Sequence, residues 1–391
     1  MERKYLHTLE YPKILERLAR HTSFSAGREL ALALEPATDP EEVRRRQQET
    51  SEARSLLDVK ADLSLGGARD VRPLVGRARR GLMLLPGELL EVGATLGSAR
   101  ALKRTLTRLS GQYLLLSGLA QWLEECADLV SEIGRCINDR GEVVDNASPR
   151  LARIRSELAG ARDRLLERLQ HLIASSEVAP HLQEALITQR SGRYVIPIKA
   201  EARGRVPGIV HDQSASGATL FIEPLATVEL NNRWRELELE EQHEVERILG
   251  ELSAQVAEQG ELIERTVDIL ARLDLAFAKG RYSYELRAVQ PRLWLPGQPT
   301  GEPRPPAPLA LRKARHPLLP PETVVPIDVW LGGEFSVLVV TGPNTGGKTV
   351  ALKTVGLLAL MHQAGLHLSV DADSILPVFG GVYADIGDEQ S

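Results

Sequence analysis

Cysteine is nearly absent: among 391 residues only Cys126 and Cys136 occur. Two thiols are too few for a disulfide framework or a cysteine zinc site. Aromatic side chains are scarce at 4%, so the cores must be built from Leu, Val, Ile and Ala. No run of about 20 apolar residues and no apolar N-terminal leader is present, and a membrane span or a signal peptide would need one. A reducing, cytoplasmic setting without membrane contact is the expectation. Positive charge is not in excess either. The formal net charge of −5 argues against a uniformly basic nucleic-acid binder, although a local basic surface is compatible with it. The 43% hydrophobic and 26% charged residues are ordinary for a globular chain of two or three domains.

What is there is mostly helical periodicity. Over residues 1–146 the pattern predicts a helical core. A first helix carries Ile14, Leu15, Leu18 and Ala19 and ends near Thr22 and Ser23. A second starts at Asp39-Pro40-Glu41-Glu42, where Asp39 suits the N-cap, Pro40 the first helical position and the glutamates the positive end of the helix dipole; it should reach Val59. Further helices are expected from Pro86 to Leu106 and from Ser117 to Ile133. The Arg77, Arg79, Arg80 cluster reads as a solvated helix end, with nucleic-acid contact as the alternative.

Ser148-Pro149 is a strong helix start. In the helix that follows, Leu151, Ile154, Leu158, Ala161, Leu165, Leu169 and Leu172 step by threes and fours, the seam of a coiled-coil-like arm. A second such run passes through Val245, Ile248, Leu252, Val256, Ile263, Val267, Leu270 and Phe277, interrupted by Gly250 and Gly260. About 60 helical residues would span roughly 90 Å, and two lone seams are buried by pairing antiparallel. The segments are thus an ascending lever helix over 147–184 and a descending one over 225–290.

Between them, over 185–224, the period changes to that of strands, with Tyr194 to Ile198, Gly208 to His211 and Thr219 to Ile222 separated by Gly- and Ser-containing turns. A small β clamp at the tip of the arm is expected. It carries Arg190, Arg193, Lys199, Arg203 and Arg205 against Glu201 and Asp212, so it could hold a phosphate backbone without reading bases; the plainer reading is a solvated turn face.

A Pro- and Gly-rich linker lies within 291–310, followed by a domain over 311–391 in which the apolar run Phe335 to Val340 leads into Gly342-Pro343-Asn344-Thr345-Gly346-Gly347-Lys348-Thr349. This is the P-loop pattern G-x-x-x-x-G-K-T, and the apolar helix pattern after it supplies the strand–loop–helix setting the motif needs. Glycines let backbone N–H groups close on a triphosphate. Lys348 would reach the β- and γ-phosphates, Thr349 would offer its hydroxyl to Mg²⁺, and the following helix would direct its positive end at the phosphates. ATP and Mg²⁺ are the implied cofactors. Asp388-Glu389 is preceded by Asp385-Ile386-Gly387 rather than by an apolar run, so it reads as a loop and not as a Walker B strand. No catalytic residue is assigned, and the ATPase domain is expected to be incomplete.

The order of parts resembles the MutS family: a helical core, paired lever helices carrying a clamp, then the first part of an α/β ATPase domain, in a mainly α, multidomain chain. Arg193 to Glu201 (RYVIPIKAE), Gly208 to Thr219 (GIVHDQSASGAT), Gly342 to Thr349 and Ala384 to Ser391 (ADIGDEQS) look like the second bacterial MutS paralogue. That branch lacks the mismatch-reading domain, and although Phe221-Ile222-Glu223 matches the reader's Phe-x-Glu by letters, its place in a clamp strand gives it no such role. The resemblance implies a homodimer, DNA or ribosomal RNA as partner, a C-terminal nuclease domain in the full-length protein, and work in recombination restraint or in rescue of collided ribosomes. Two rival readings are an SMC-like ATPase, which places its P-loop before the coil whereas Lys348 follows it, and a nucleotide-independent interaction module.

Overall fold

The computed structural model describes residues 2–60, 65–295, 308–342 and 347–386. Its helices are α1 (Arg3–Thr8), α2 (Tyr11–Ala19), α3 (Ser25–Leu32), α4 (Pro40–Val59), α5 (Arg72–Arg79), α6 (Pro86–Arg108), α7 (Leu114–Ala120), α8 (Ala127–Cys136), α9 (Pro149–Ala174), α10 (Val228–Glu258), α11 (Gly260–Glu285) and α12 (Lys348–Gln363). Its strands are β1 (Thr188–Arg190), β2 (Arg193–Lys199), β3 (Gly208–Gln213), β4 (Thr219–Pro224), β5 (Arg292–Leu293), β6 (Leu309–Ala314), β7 (Ile327–Leu331) and β8 (Ile375–Leu376). The fold is mainly helical with two small sheets and divides into two compact units. The first comprises Met1–Gly76, Glu91–Ala127 and Gln259–Ser391, the second Arg77–Leu90 and Asp128–Glu258. The expected linker, apart from its two ends, and the terminal Asp388-Glu389 lie outside the described residues.

In the first unit, Tyr11, Ile14, Leu15 and Leu18 form the buried stripe of α2, at the helical spacing that places them on one face. They share a core with Leu357, Leu358, Leu360 and Met361 of α12. Asp39 caps α4 as the sequence implies, accepting from the N–H groups of Glu41 and Glu42. The single helix expected over 117–133 is instead two, α7 and α8. Cys126 sits between them at φ 41°, a conformation no helix interior tolerates, and the Glu124 N–H is taken by Thr266 Oγ1 at 3.1 Å. Buried Asp274 of α11 accepts from Ser23 N at 2.8 Å and also from Phe24 N, so a carboxylate from a distant helix satisfies the start of α3. Gly27 makes this possible, because a Cβ there would lie 2.1 Å from Asp274 Oδ2.

The sheet of this unit has the order β5-β8-β6-β7. The apolar run 335–340 does not form the buried strand its composition predicts. Beyond the single Gly332–Phe335 bridge it pairs with no described segment, and Val337 and Val339 are 73% and 76% exposed. A strand is defined by the neighbours that take up its backbone groups, and none of the described strands flanks this run.

In the second unit, α9 packs on α10 through the seam read for α9, with Ile154, Ala161, Leu165 and Leu169 in one cluster with Trp234 and Leu237, which precede the α10 positions read as a seam from the sequence. The cross-helix contacts Ser148–Glu244, Arg155–Glu241 and Glu157–Arg233 ascend on α9 while they descend on α10, so the pair is antiparallel. Ser148 caps α9, its Oγ accepting from Leu151 N at 3.0 Å and donating to Glu244 at 2.7 Å. Hydrogen bonding from Arg247, helped by Ser148 and the Arg150 charge, outweighs burial and holds the Glu244 carboxyl at about 2. The second seam runs unbroken through Gly250 and breaks at Gln259, immediately before the expected interruption at Gly260, into α10 and α11.

Between α9 and α10 the chain forms an antiparallel sheet of order β1-β2-β4-β3. Its β3–β4 register shifts between Val210 and Asp212, leaving His211 as the bulged residue. Gly208 permits the close approach of these strands, since a Cβ there would meet Ile222 Cγ2 at 2.3 Å and Glu223 O at 2.5 Å.

Candidate functional site

Two regions gather the residues singled out by the sequence. At the first, α12 begins immediately after Gly347, which takes the left-handed conformation at φ 80° as the N-cap residue. A side chain there would be strained, so glycine is what allows the loop to turn directly into the helix. Lys348, half-buried in the first turn, donates its Nζ to Gly342 O, and Thr349 is exposed beside it. The N-terminal turn of a helix can present backbone N–H groups to an anion, with the dipole adding positive potential. Pro343, Asn344, Thr345 and Gly346 lie outside the described residues.

Next to Lys348 opens a cavity of about 620 Å³, lined on one side by Gly342, Gly347 and Lys348 and on the other by Val324, Val325 and Ile327. Its volume falls in the range of small-molecule sites, and its mixed lining offers an apolar slot beside a cationic corner. His316 closes one wall. Its Nδ1 accepts from Leu318 N at 3.3 Å, and burial pushes the ring below the ordinary histidine value, so it is neutral near pH 7. The sequence pointed to Gly342, Gly347 and Lys348 in this cavity but not to His316, Val324 or Val325; the His316-Pro317 pair upstream of an apolar stretch was the available signal.

The far end of α12 is held by side chains of α4 and α11. Gln47 Nε2 donates to His362 O and Leu366 O at 2.8 and 2.9 Å, Thr50 Oγ1 to Gly365 O at 2.6 Å, and buried Lys279 Nζ to Ala364 O at 2.9 Å. Burial lowers Lys279 to about 8, yet it remains largely a cation at neutral pH, and a cation is the favourable partner for a helix C-terminus. Among the described residues no group of three His, Cys, Asp or Glu side chains could hold a metal ion.

The second region is the β1–β4 sheet, where the structure sorts the five expected cations. Arg190 pairs with Asp212 at 3.2 Å and lies over the Phe221 ring at 4.3 Å. Arg193 is committed inward, to fully buried Glu223 at 2.8 Å and to Asn232 at 2.7 Å. Lys199 donates weakly to Pro180 O at 3.4 Å. Arg203 and Arg205 are exposed on the turn before β3, and no carboxylate among the described residues pairs with either. Glu223 also binds His211 Nε2 at 2.6 Å, so the Glu of the Phe-x-Glu letters is a structural anchor between two strands. Sequence alone could not show this, because an acid in an otherwise apolar strand has no visible partner until the sheet is assembled.

No helix of the described residues is long and apolar enough to cross a membrane. No family model matches the chain. Whole-length similarity is nevertheless high: it is 48% identical over 391 residues to the endonuclease MutS2 of Pelotomaculum thermopropionicum and 49% identical over 391 residues to that of Symbiobacterium thermophilum, covering 100% of this chain and 48% of each relative. The endonuclease MutS2 of Thermomicrobium roseum is 47% identical over 395 residues, with 50% of that protein covered. The chain spans about half the length of the curated relatives it matches. Taken with the sequence motifs, these identities place the chain in the MutS family, within its MutS2 branch.

Proposed function

We propose that this chain is the ATP-binding and nucleic-acid-clamping part of a MutS2-type protein. The observation that carries the reading is the left-handed Gly347 placing Lys348 at the start of α12 beside the 620 Å³ cavity. The triphosphate would lie against the α12 N-terminus with Lys348 on its outer phosphates and Thr349 on the Mg²⁺, while the apolar slot of Val324, Val325 and Ile327 takes the base. Bound Mg²⁺ would neutralise phosphate charge. The chain's own residues bind and orient the nucleotide. Lys348→Ala is expected to reduce binding of a fluorescent ATP analogue at least tenfold in a direct titration; equal affinity for the two proteins would remove the assignment.

The paired helices α9 and α10 act in this reading as lever helices, with the sheet as the clamp. Within it Arg203 and Arg205 are the phosphate contacts, because Arg190 and Arg193 are already paired and Lys199 is tied to backbone. DNA and ribosomal RNA share this backbone chemistry. The relatives' name, endonuclease, together with the family resemblance supports a nucleic-acid substrate, with recombination restraint or rescue of collided ribosomes as the setting and a homodimer as the working form. Replacing Arg203 and Arg205 by Ala is expected to weaken duplex DNA binding equally for all sequences and to lower the salt slope by a little under two units. An affinity series across salt concentrations measures it, and an unchanged slope would assign the contacts elsewhere.

A further inference from the structure

The first unit carries a second cavity, of about 540 Å³, in a groove between α3 and α11 that is closed at one end by Trp122. Ala26 and Leu30 of α3 face Ile269 of α11 across an apolar floor. Trp122 stands at the end with 59% of its surface exposed, and the Arg265 guanidinium lies 4.7 Å over its ring. A large aromatic held in place by a cation and still mostly open to solvent is characteristic of a binding surface rather than of a core.

The charges at the rim are unevenly matched. Arg72 engages Glu29 and Asp268 as well as Asp70, all at 3.2 Å or less, so both acids lining the groove are already neutralised by one arginine. Arg265 and Arg272 line the same groove, and neither is paired with a carboxylate among the described residues. They lie seven residues apart on α11, which is two helical turns on one face.

We propose that this groove docks an acidic amphipathic helix of a partner protein. Its apolar face, with anchors at i, i+3, i+4 and i+7, fills the floor between α3 and α11 and packs against Trp122. Its acidic flank meets Arg265 and Arg272, the cations left over after Arg72 is satisfied. A nucleic-acid strand fits less well, because the apolar floor of Ala26, Leu30 and Ile269 offers no partner to a phosphate backbone.

The test uses the whole chain and two fluorescein-labelled 18-residue probe helices, with leucine along one face and either glutamate or lysine on the others, read by fluorescence polarisation. Saturable binding of the glutamate probe, at least about tenfold tighter than the lysine probe, is expected. Arg265→Glu and Arg272→Glu should each weaken the glutamate probe about tenfold, about one charged contact, and the double variant should reverse the preference. Leu30→Asp should remove binding of both probes. Because these side chains are exposed, the variants should melt like the parent. Equal binding of the two probes, or no response to either charge reversal, overturns the proposal. Displacement of the glutamate probe by an 18-nucleotide single strand with the same arginine dependence overturns it in favour of a nucleic-acid surface. Self-association of the chain that is lost in Leu30→Asp overturns it in favour of a second copy.

Discussion

Between pH 6.5 and pH 4.5 the first unit is expected to lose stability on the order of 5 kcal/mol. The cause is two buried histidines. Burial lowers His362 to about 4; it also lowers His367 to about 4, there with the nearby charges of Arg54 and Lys279 adding to the effect. Above pH 6.5 both rings are neutral whether the chain is folded or not. As pH falls through 6.5 the unfolded chain takes up a proton at each ring and the folded chain does not, so unfolding is favoured by about 1.4 kcal/mol per pH unit per ring until the folded values near 4 are reached. His316, lowered by burial, acts in the same direction. His367 is placed for its neutral form, with Ser283 Oγ at 2.9 Å from Nδ1 and Ser51 Oγ at 2.9 Å from Nε2. Urea midpoints measured at half-unit steps would give the slope. The double change His362→Gln, His367→Gln should flatten it over this window, and a slope identical to the parent's would show that other groups cause the loss. Lys279 adds a weaker trend at the other end. Its folded value near 8 lies below that of an exposed lysine, so stability should rise as pH increases from about 8 to about 10.5.

Removing the Glu223 carboxylate is expected to destabilise the second unit by about 3 kcal/mol. It is fully buried and holds Arg193 on one side and His211 on the other. Glu223→Ala therefore strands a partly buried arginine and leaves a gap between β3 and β4, and breaking a buried pair by deleting one partner costs about 3–5 kcal/mol. The lower figure applies because Arg193 is 27% exposed and water can reach it. Glu223→Gln keeps acceptor and shape and should lose roughly half as much. A double variant, Arg193→Met with Glu223→Leu, should recover much of the loss by removing both charges. Denaturant unfolding followed through the sheet's Trp234 contact measures all three. A Glu223→Ala protein within about 0.5 kcal/mol of the parent would mean that the pair carries no net stabilisation.

Features determined by neighbours in sequence were legible before any coordinates. Asp39 and Ser148 act within three residues of themselves, and both cap the helices read for them. The seam of α9 depends only on its own spacing. Gly347 is equally local, and it takes a left-handed backbone angle that glycine adopts without strain. Features that depend on what arrives from elsewhere were not legible. The run 335–340 has the composition of a buried strand, but its burial belongs to flanking strands. Arg193 and Arg203 are chemically alike and ten residues apart, yet one is drawn inward by a buried acid and the other is left in solvent; only the assembled sheet distinguishes them. Lys279 and His367 look like ordinary surface residues in the sequence, and become buried because α11 packs beside the end of α12.

The cross-helix contacts of α9 and α10 have a mechanical consequence. Arg155 meets Glu241 at 2.7 Å and Glu157 meets Arg233 at 3.1 Å. If α9 slid by one turn, about 5.4 Å, Arg155 would face Leu237 in one direction and Val245 in the other, exchanging an acid for an apolar neighbour either way. Ser148 would at the same time lose Glu244, a nearly inaccessible acid. The two helices are therefore toothed against axial creep: a push applied at one end of the pair is delivered at the other as displacement of the whole rod, not dissipated as slippage between its halves.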